Sequence, residues 1–178
     1  MFDTVSKQPF YNQGTGEFKY MIKGEVPFVQ PVKSGYGVDD NVTAGNVSVE
    51  ITSHTRDSSS GPAWKAMVGP VTKDYNTDMW CVGPGNTPST STWQFGRPLR
   101  IEKIEFNNPW LVPNTYEIYG VNGSAKVLLA GGACDKGASV SLTITDSTYY
   151  EALSMSIKGN AAGNAGMQNL VITAYYKP

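Results

Sequence analysis

Hydrophobic and polar residues alternate with a period of two over several stretches after residue 46. A period of two places alternate side chains on opposite faces of a β-strand. The pattern predicts strands with one buried face at residues 47–51, 115–121, 139–145, 149–157 and 167–176.

The stretch 99–121 organises the rest of the chain and predicts two strands, 99–106 and 115–121, around a loop that contains Pro109 and Pro113. In the first strand, Leu99 and Ile101 occupy odd positions, whereas the apolar residues Ile104 and Phe106 occupy even positions. A regular strand would expose one pair, so we expect a β-bulge near Glu102 or Lys103 that returns both pairs to the core.

Shorter segments complete the pattern. Residues 79–82 predict a short apolar strand, 63–67 a single helical turn, and 96–98 (Gly-Arg-Pro) a turn before the central strand pair. Asn122-Gly123 predicts a type I′ hairpin turn into a strand at 126–130. In the last strand we expect Leu170, Ile172 and Ala174 to face inward and Val171, Thr173 and Tyr175 to face outward.

The fold class follows from these elements. Eight short strands separated by turns, with no helix long enough for a parallel crossover, indicate an all-β antiparallel eight-stranded sandwich over residues 46–178.

Residues 1–45 differ from the rest of the chain. Apolar residues are spread among Gly, Pro and Gln, and Pro27 and Pro31 favour an extended path. The segment predicts an arm that lies either on its own sandwich or on a neighbouring subunit. The aromatic residues expected to serve assembly are Phe10, Tyr11, Phe18, Tyr20 and Phe28.

Composition excludes some classes of partner. The net charge is −1 and Lys and Arg are not clustered, which argues against nucleic acid as a partner. No apolar run approaches the length of a membrane span, and no signal peptide is visible at the N-terminus. Without export, Cys81 and Cys134 are expected to be free thiols.

The order of several motifs resembles the discoidin or coagulation factor 5/8 C-terminal type domain, an eight-stranded galactose-binding-like jelly roll. The resemblance covers residues 46–178 and rests on five motifs in order: Ala63-Trp64-Lys65-Ala66-Met67-Val68-Gly69, Met79-Trp80-Cys81, the segment from Trp93 to Ile101, Tyr116-Glu117-Ile118-Tyr119-Gly120, and the closing hydrophobic strand. In many members an Asp in the first motif helps to hold calcium. Val68 stands there in this chain, so the resemblance implies no calcium site.

Small domains of this type with an apolar arm and no signal peptide resemble appendage proteins of tailed bacteriophages. By this analogy we expect a non-enzymatic virion protein, assembled in the bacterial cytoplasm, whose arm binds other virion subunits and copies of itself. Its outward end would bind a host cell-surface glycan. The alternative is a free carbohydrate-binding module of a bacterial surface or secreted protein.

Catalytic chemistry has little support in the sequence. His54 is the only histidine, and no nucleophile elbow, zinc-protease helix or phosphate loop occurs. The sequence therefore predicts no enzyme, no cofactor and no metal.

Sugar binding needs an aromatic face for the pyranose ring and fixed polar groups for its hydroxyls. Trp110 has this combination, unless it folds back as a lid on the end of the sandwich. Trp64, Trp80 and Trp93 are expected in the core. The candidate carbohydrate-binding residues are Trp110, Asn107, Asn108, Asn114, Tyr75, His54 and Arg56.

Overall fold

A computed structural model describes residues 7–12, 17–22, 24–30, 41–42, 45–54, 63–67, 79–82, 88–108, 114–159 and 164–178. These residues are almost entirely β-strand, and the helical element among them is one 3₁₀ turn at Ala63–Met67. The strands are β1 (Lys7–Asn12), β2 (Glu17–Ile22), β3 (Val26–Pro27), β4 (Asn41–Val42), β5 (Val49–His54), β6 (Met79–Val82), β7 (Ser89–Asn107), β8 (Asn114–Asn122), β9 (Ala125–Cys134), β10 (Ser139–Thr143), β11 (Tyr149–Lys158) and β12 (Ala165–Tyr176).

The long strand β7 joins the two layers of the sandwich. Residues 89–95 pair with β5 and β11, and β11 continues the layer to β8 and then β9. Residues 100–107 pair with β12 and β10, and β12 also pairs with β3 and β6. Every pairing is antiparallel, so the predicted antiparallel sandwich with strands β5–β12 is confirmed.

Residues 96–98, predicted as a turn, fall within the bounds of β7. The chain nevertheless changes direction there, because Ser89 pairs near the end of β11 and Asn107 pairs near the start of β12. Gln94 pairs with Ala152 and Leu99 with Tyr150, so four residues of β7 lie opposite Glu151 alone. At such an irregularity Pro98 breaks no ladder hydrogen bond. The Gly-Arg-Pro segment therefore carries the chain from one layer to the other.

The predicted bulge is confirmed at Glu102. Ile101 pairs with Ala174 and Lys103 with Thr173, which leaves Glu102 as the extra residue. Leu99, Ile101, Ile104 and Phe106 are all buried as a result, although their parities differ.

The core lies between the layers and is built on aromatic pairs. The rings of Trp80 and Trp93 meet edge to face with centroids 5.7 Å apart, and those of Phe106 and Tyr116 do so at 5.1 Å. Trp80 and Trp93 are core residues, as predicted. The side chain of Trp64 is outside the described structure. Cys81 and Cys134 are both buried, and no disulfide joins them.

The hairpin after β8 is confirmed, but its turn is not of type I′. Asn122 pairs with Ala125, so Gly123 and Ser124 form the two-residue loop. A type I′ turn needs positive φ at both positions, and here only Gly123 has it, at 57°. Strand β9 also continues to Cys134, beyond its predicted end at residue 130.

The last strand follows the predicted alternation, with one difference in burial. Leu170, Ile172 and Ala174 belong to the core, and Val171 is exposed. Tyr175 was expected on the outer surface and is only 3% exposed, because the Arg100 guanidinium lies over its ring at 4.8 Å.

Residues 24–30 lie on the chain's own sandwich. Strand β3 pairs with the end of β12, and the Phe28 amide donates to the Ala174 carbonyl at 2.8 Å. Phe28 is 8% exposed and packs against Phe95. Phe28 is therefore a core residue and not an assembly contact as predicted, because the sandwich itself covers its ring. The sandwich also begins before the predicted boundary at residue 46.

Candidate functional site

One end of the sandwich gathers the ends of most strands. Registers connect His54 to Ser91, Ser89 to Ile157, Thr115 to Lys158, and Asn114 to Cys134 in one layer. In the other layer Asn107 pairs with both Ser139 and Gln168. This end, here called the loop end, includes the strand termini that border residues 55–62, 83–87, 109–113 and 160–163.

Two buried asparagines hold the loop end together. The Asn108 side-chain amide donates to the carbonyls of Cys134 and Asp135 at 3.2 and 3.0 Å. The Asn114 amide donates to the Gly166 carbonyl at 2.9 Å, which joins β8 to the start of β12. The exposed fractions of Asn108 and Asn114 are only 1% and 4%. Their amides therefore fix the two ends of the segment 109–113.

This role differs from the sugar contact predicted for Asn108 and Asn114. Both side chains lie in the interior, where they donate to backbone carbonyls. Asparagines beside a tryptophan in sequence are compatible with either role, and only the register and burial distinguish them.

The other candidates are placed only in part. Asn107 is the half-buried last residue of β7, at the loop end. His54 is the last residue of β5, in register with Ser91, so its backbone also lies at the loop end. Trp110, Arg56 and Tyr75 lie outside the described residues. The sequence positions of Trp110 and Arg56 fall in segments that border this end, whereas Tyr75 lies between the 3₁₀ turn and β6.

A groove that sequence reasoning missed lies on the open face of β8, β9 and β11, beside the loop end. Its volume is about 670 Å³, within the range of ligand sites in proteins. Its lining combines hydroxyl, charged, apolar and glycine positions: Pro88, Thr115, Tyr116, Glu117, Leu128, Gly131, Gly132, Ala133, Ser156 and Lys158.

The carboxylate in this groove is held in place by a tyrosine. The Tyr119 hydroxyl donates to Glu117 Oε2 at 2.8 Å. This hydrogen bond to the ionised carboxylate raises the pKa of Tyr119, and partial desolvation adds to the shift. Glu117 therefore presents a charged acceptor in a defined position on the open face.

The groove depends on cross-strand neighbours, which explains why the sequence did not reveal it. Glu117 lies between Ser156 on β11 and Gly131 on β9, and Thr115 lies between Lys158 and Ala133. The alternation of exposed residues in β8 was visible in the sequence, but the residues of β9 and β11 that lie beside them depend on the register. A bulge between Ile118 and Tyr119 sets part of that register.

The described residues contain no group of three or more His, Cys, Asp or Glu side chains that could hold a metal ion. Among them there is also no helix with the length and apolar character needed to cross a membrane.

No protein-family model matches the sequence, and no curated protein matches it. Solved structures do match the fold. The family 32 carbohydrate-binding module of NanJ from Clostridium perfringens, solved with galactose, has a TM-score of 0.56 at 19% identity, over 72% of this chain and 93% of that one.

A second carbohydrate-binding module from the same organism, solved with GalNAc-β-1,3-galactose, has a TM-score of 0.51 at 20% identity, over 72% of this chain and 94% of that one. Allantoicase from Saccharomyces cerevisiae has a TM-score of 0.54 at 14% identity, over 72% of this chain but only 40% of its own. The chain therefore has the discoidin-like jelly-roll fold of the galactose-binding type, which resemblance to the discoidin domains had implied.

Proposed function

We propose that this chain is a non-enzymatic carbohydrate-binding module that binds a glycan at its loop end. The likeness to two modules solved with galactose-containing sugars supports this function most strongly. A rigid sandwich that presents loops at one end suits such a role, because loops carry the variable contacts and strands fix their bases.

Trp110 is the residue that we assign to the sugar ring. It lies between Asn108 and Asn114, both of which are anchored to backbone carbonyls of the sandwich. The ring of an aromatic residue offers a flat apolar face to a pyranose. His54, Arg56 and Asn107 are the polar groups proposed around it.

Titration calorimetry with galactose and with GalNAc-β-1,3-galactose tests the proposal. We expect the wild type to bind at least one of these sugars and Trp110→Ala to bind it about tenfold more weakly or not at all. Val29→Ala is the control, because Val29 is 57% exposed on the N-terminal segment. Equal affinity of wild type and Trp110→Ala would contradict a loop-end site.

We also propose that the hairpin β1–β2 joins the chain to copies of itself or to other virion subunits. In the described structure these strands form a two-stranded sheet of their own, apart from the ten-stranded sheet. An isolated hairpin is marginally stable in water, so a partner surface would stabilise it. Phe10, Tyr11, Phe18 and Tyr20 lie on its two strands.

Light scattering on the full chain and on a variant without residues 1–23 tests this second proposal. We expect an oligomer for the full chain and a monomer for the shortened chain. A monomer in both cases would overturn the assembly role and leave the carbohydrate-binding proposal unaffected.

A further inference from the structure

We propose that the groove on β8, β9 and β11 binds further sugar residues of a neutral glycan chain whose terminal sugar occupies the loop end. This inference rests on the proposed carbohydrate-binding function. It extends that function from a single terminal sugar to an oligosaccharide that runs onto the sheet face.

The position of the groove is the first reason. Pro88 precedes β7, Thr115 is the second residue of β8, and Lys158 is the last residue of β11. All three are at the loop end, so the groove opens where the loop-end site begins. A chain held there by its terminal sugar would reach the groove with its next residues.

The polar groups of the groove suit hydroxyl-rich ligands. In the described structure Tyr119 occupies Oε2 of Glu117, which leaves Oε1 to accept from a sugar hydroxyl. Lys158 can donate, and the hydroxyls of Thr115 and Ser156 can do both. One carboxylate and one ammonium give the lining no net charge, which favours a neutral chain over an anionic one.

Apolar surface and open space complete the match. Leu128 is 56% exposed, and with Pro88 it offers contact for the C–H groups of a pyranose ring. Gly131 lies directly opposite Glu117 and has no side chain to fill the space beside that carboxylate. A Cβ at Gly131 would lie 3.4 Å from the Tyr116 carbonyl oxygen and 3.7 Å from Glu117 Cγ, which is ordinary contact.

An extended peptide is a poorer occupant. Peptides that add to a sheet pair with an edge strand through backbone groups. The groove lies on the face of β8, β9 and β11 and not along the outer edge of β9, so a ligand in it meets side chains and not a strand edge.

Two variants separate the groove from the loop end. Glu117→Gln removes the charged acceptor, and Gly131→Val fills the space opposite it with a residue that suits a strand. Glu105→Gln is the control, because Glu105 is an exposed carboxylate in the other layer, paired with Lys103. Thermal unfolding of each variant checks that the sandwich is intact.

The probes are galactose and β-1,4-galactotetraose, measured by titration calorimetry and by amide shifts in ¹⁵N NMR spectra. We expect wild type to bind the tetraose at least about tenfold more tightly than galactose, with shifts at Thr115, Glu117, Gly131 and Ser156 caused by the tetraose only. Glu117→Gln and Gly131→Val should lose this gain and keep the affinity for galactose.

Three results would overturn the inference. The first is that wild type binds both probes with equal affinity. The second is that the tetraose leaves the amide signals of the groove residues where they were. The third is that both groove variants bind the tetraose as tightly as wild type does. In each case the loop-end function would still be supported if wild type binds galactose and Trp110→Ala does not. If wild type binds neither probe, the groove inference fails, and the loop-end function is then judged on a wider set of glycans.

Discussion

At the scale of single residues, Glu25 attaches the N-terminal segment to the sandwich. Its carboxylate accepts two hydrogen bonds from Arg100, each at 2.7 Å, and a third from the Tyr149 hydroxyl. The Glu25 side chain is fully buried and that of Arg100 is 10% exposed. Burying such a pair is costly, and the geometry must be good for the pair to persist. The bidentate contact meets that condition.

Removing one partner of this pair should destabilise the fold strongly. Glu25→Gln removes the carboxylate that contacts the buried Arg100 guanidinium through two hydrogen bonds, so we expect the free energy of unfolding to fall by about 3 kcal/mol in urea denaturation. Glu105→Gln is the matched control, because the Lys103–Glu105 pair is about 40% exposed and should cost less than about 1 kcal/mol. Similar losses in both variants would show that Glu25 has no special role.

The two tyrosines near this pair predict a loss of stability at high pH. Burial, with the hydrogen bond to Glu25, raises the pKa of Tyr149 to about 12, and burial, with the Glu102 charge, raises the pKa of Tyr175 to about 12. Each pKa is near 10 in the unfolded chain. The folded state therefore keeps protons that the unfolded state loses between pH 10 and 12, so stability falls with rising pH in that window.

Urea denaturation at pH 8, 10 and 11 measures this effect. We expect a nearly constant free energy of unfolding below pH 9 and a decline above pH 10. Each tyrosine contributes at most about 1.4 kcal/mol per pH unit. Tyr149→Phe and Tyr175→Phe should each make the decline shallower, and a wild-type slope in both variants would refute the assignment.

At the scale of elements, the sequence was most informative where burial forced a choice. The change of parity between Ile101 and Ile104 required an irregularity, and Glu102 provides it. The Gly-Arg-Pro segment was predicted as a turn, and the chain does change layer there, although the segment falls within the bounds of β7. The two layers that it connects depend on pairing, because residues 89–95 pair with β5 and β11 and residues 100–107 pair with β12 and β10.

Substitution by alanine at two glycines of the β8–β9 hairpin should have different effects on stability. A Cβ at Gly120 would lie 2.5 Å from the Tyr150 ring, whose hydroxyl is tied to Asp146 at 2.9 Å. We expect Gly120→Ala to lower the free energy of unfolding by about 1–3 kcal/mol, because the buried ring cannot move aside. Gly131→Ala should change it by less than about 0.5 kcal/mol, since nothing obstructs its Cβ.

Urea denaturation of both variants beside wild type is the measurement. A neutral Gly120→Ala would mean that Tyr150 has another position within reach, and the packing described for β8 and β11 would then be incorrect.

At the scale of the whole molecule, the jelly roll could be predicted from the order of its motifs, but the site only in part. Asn108 and Asn114 were predicted to contact sugar, but both side chains are buried and bind backbone carbonyls. Phe28 was assigned to assembly because sequence does not show which surface an apolar segment covers. The groove forms from residues that become neighbours only when β8, β9 and β11 pair, so no pattern along the sequence predicted it.

Because residues 24–30 dock on the sandwich, we expect truncation of the N-terminus to reduce stability only when it removes these residues. Removing residues 1–23 should leave the stability of the sandwich nearly unchanged. Removing residues 1–30 also deletes the burial of Phe28, the Glu25 carboxylate and the bonds of Gln30 to Leu170 and Ile172. We expect a loss of more than about 4 kcal/mol in urea denaturation. Equal stability of the two truncated chains would contradict the docked segment.

The central claim is that this rigid sandwich serves to bind sugars. A printed array of mono- to hexasaccharides, probed with the purified full chain, tests it most directly. The account predicts selective binding to a small set of glycans, with a stronger signal for longer members of that set. Absence of binding to every glycan on the array, by protein whose thermal unfolding shows it to be folded, would contradict it.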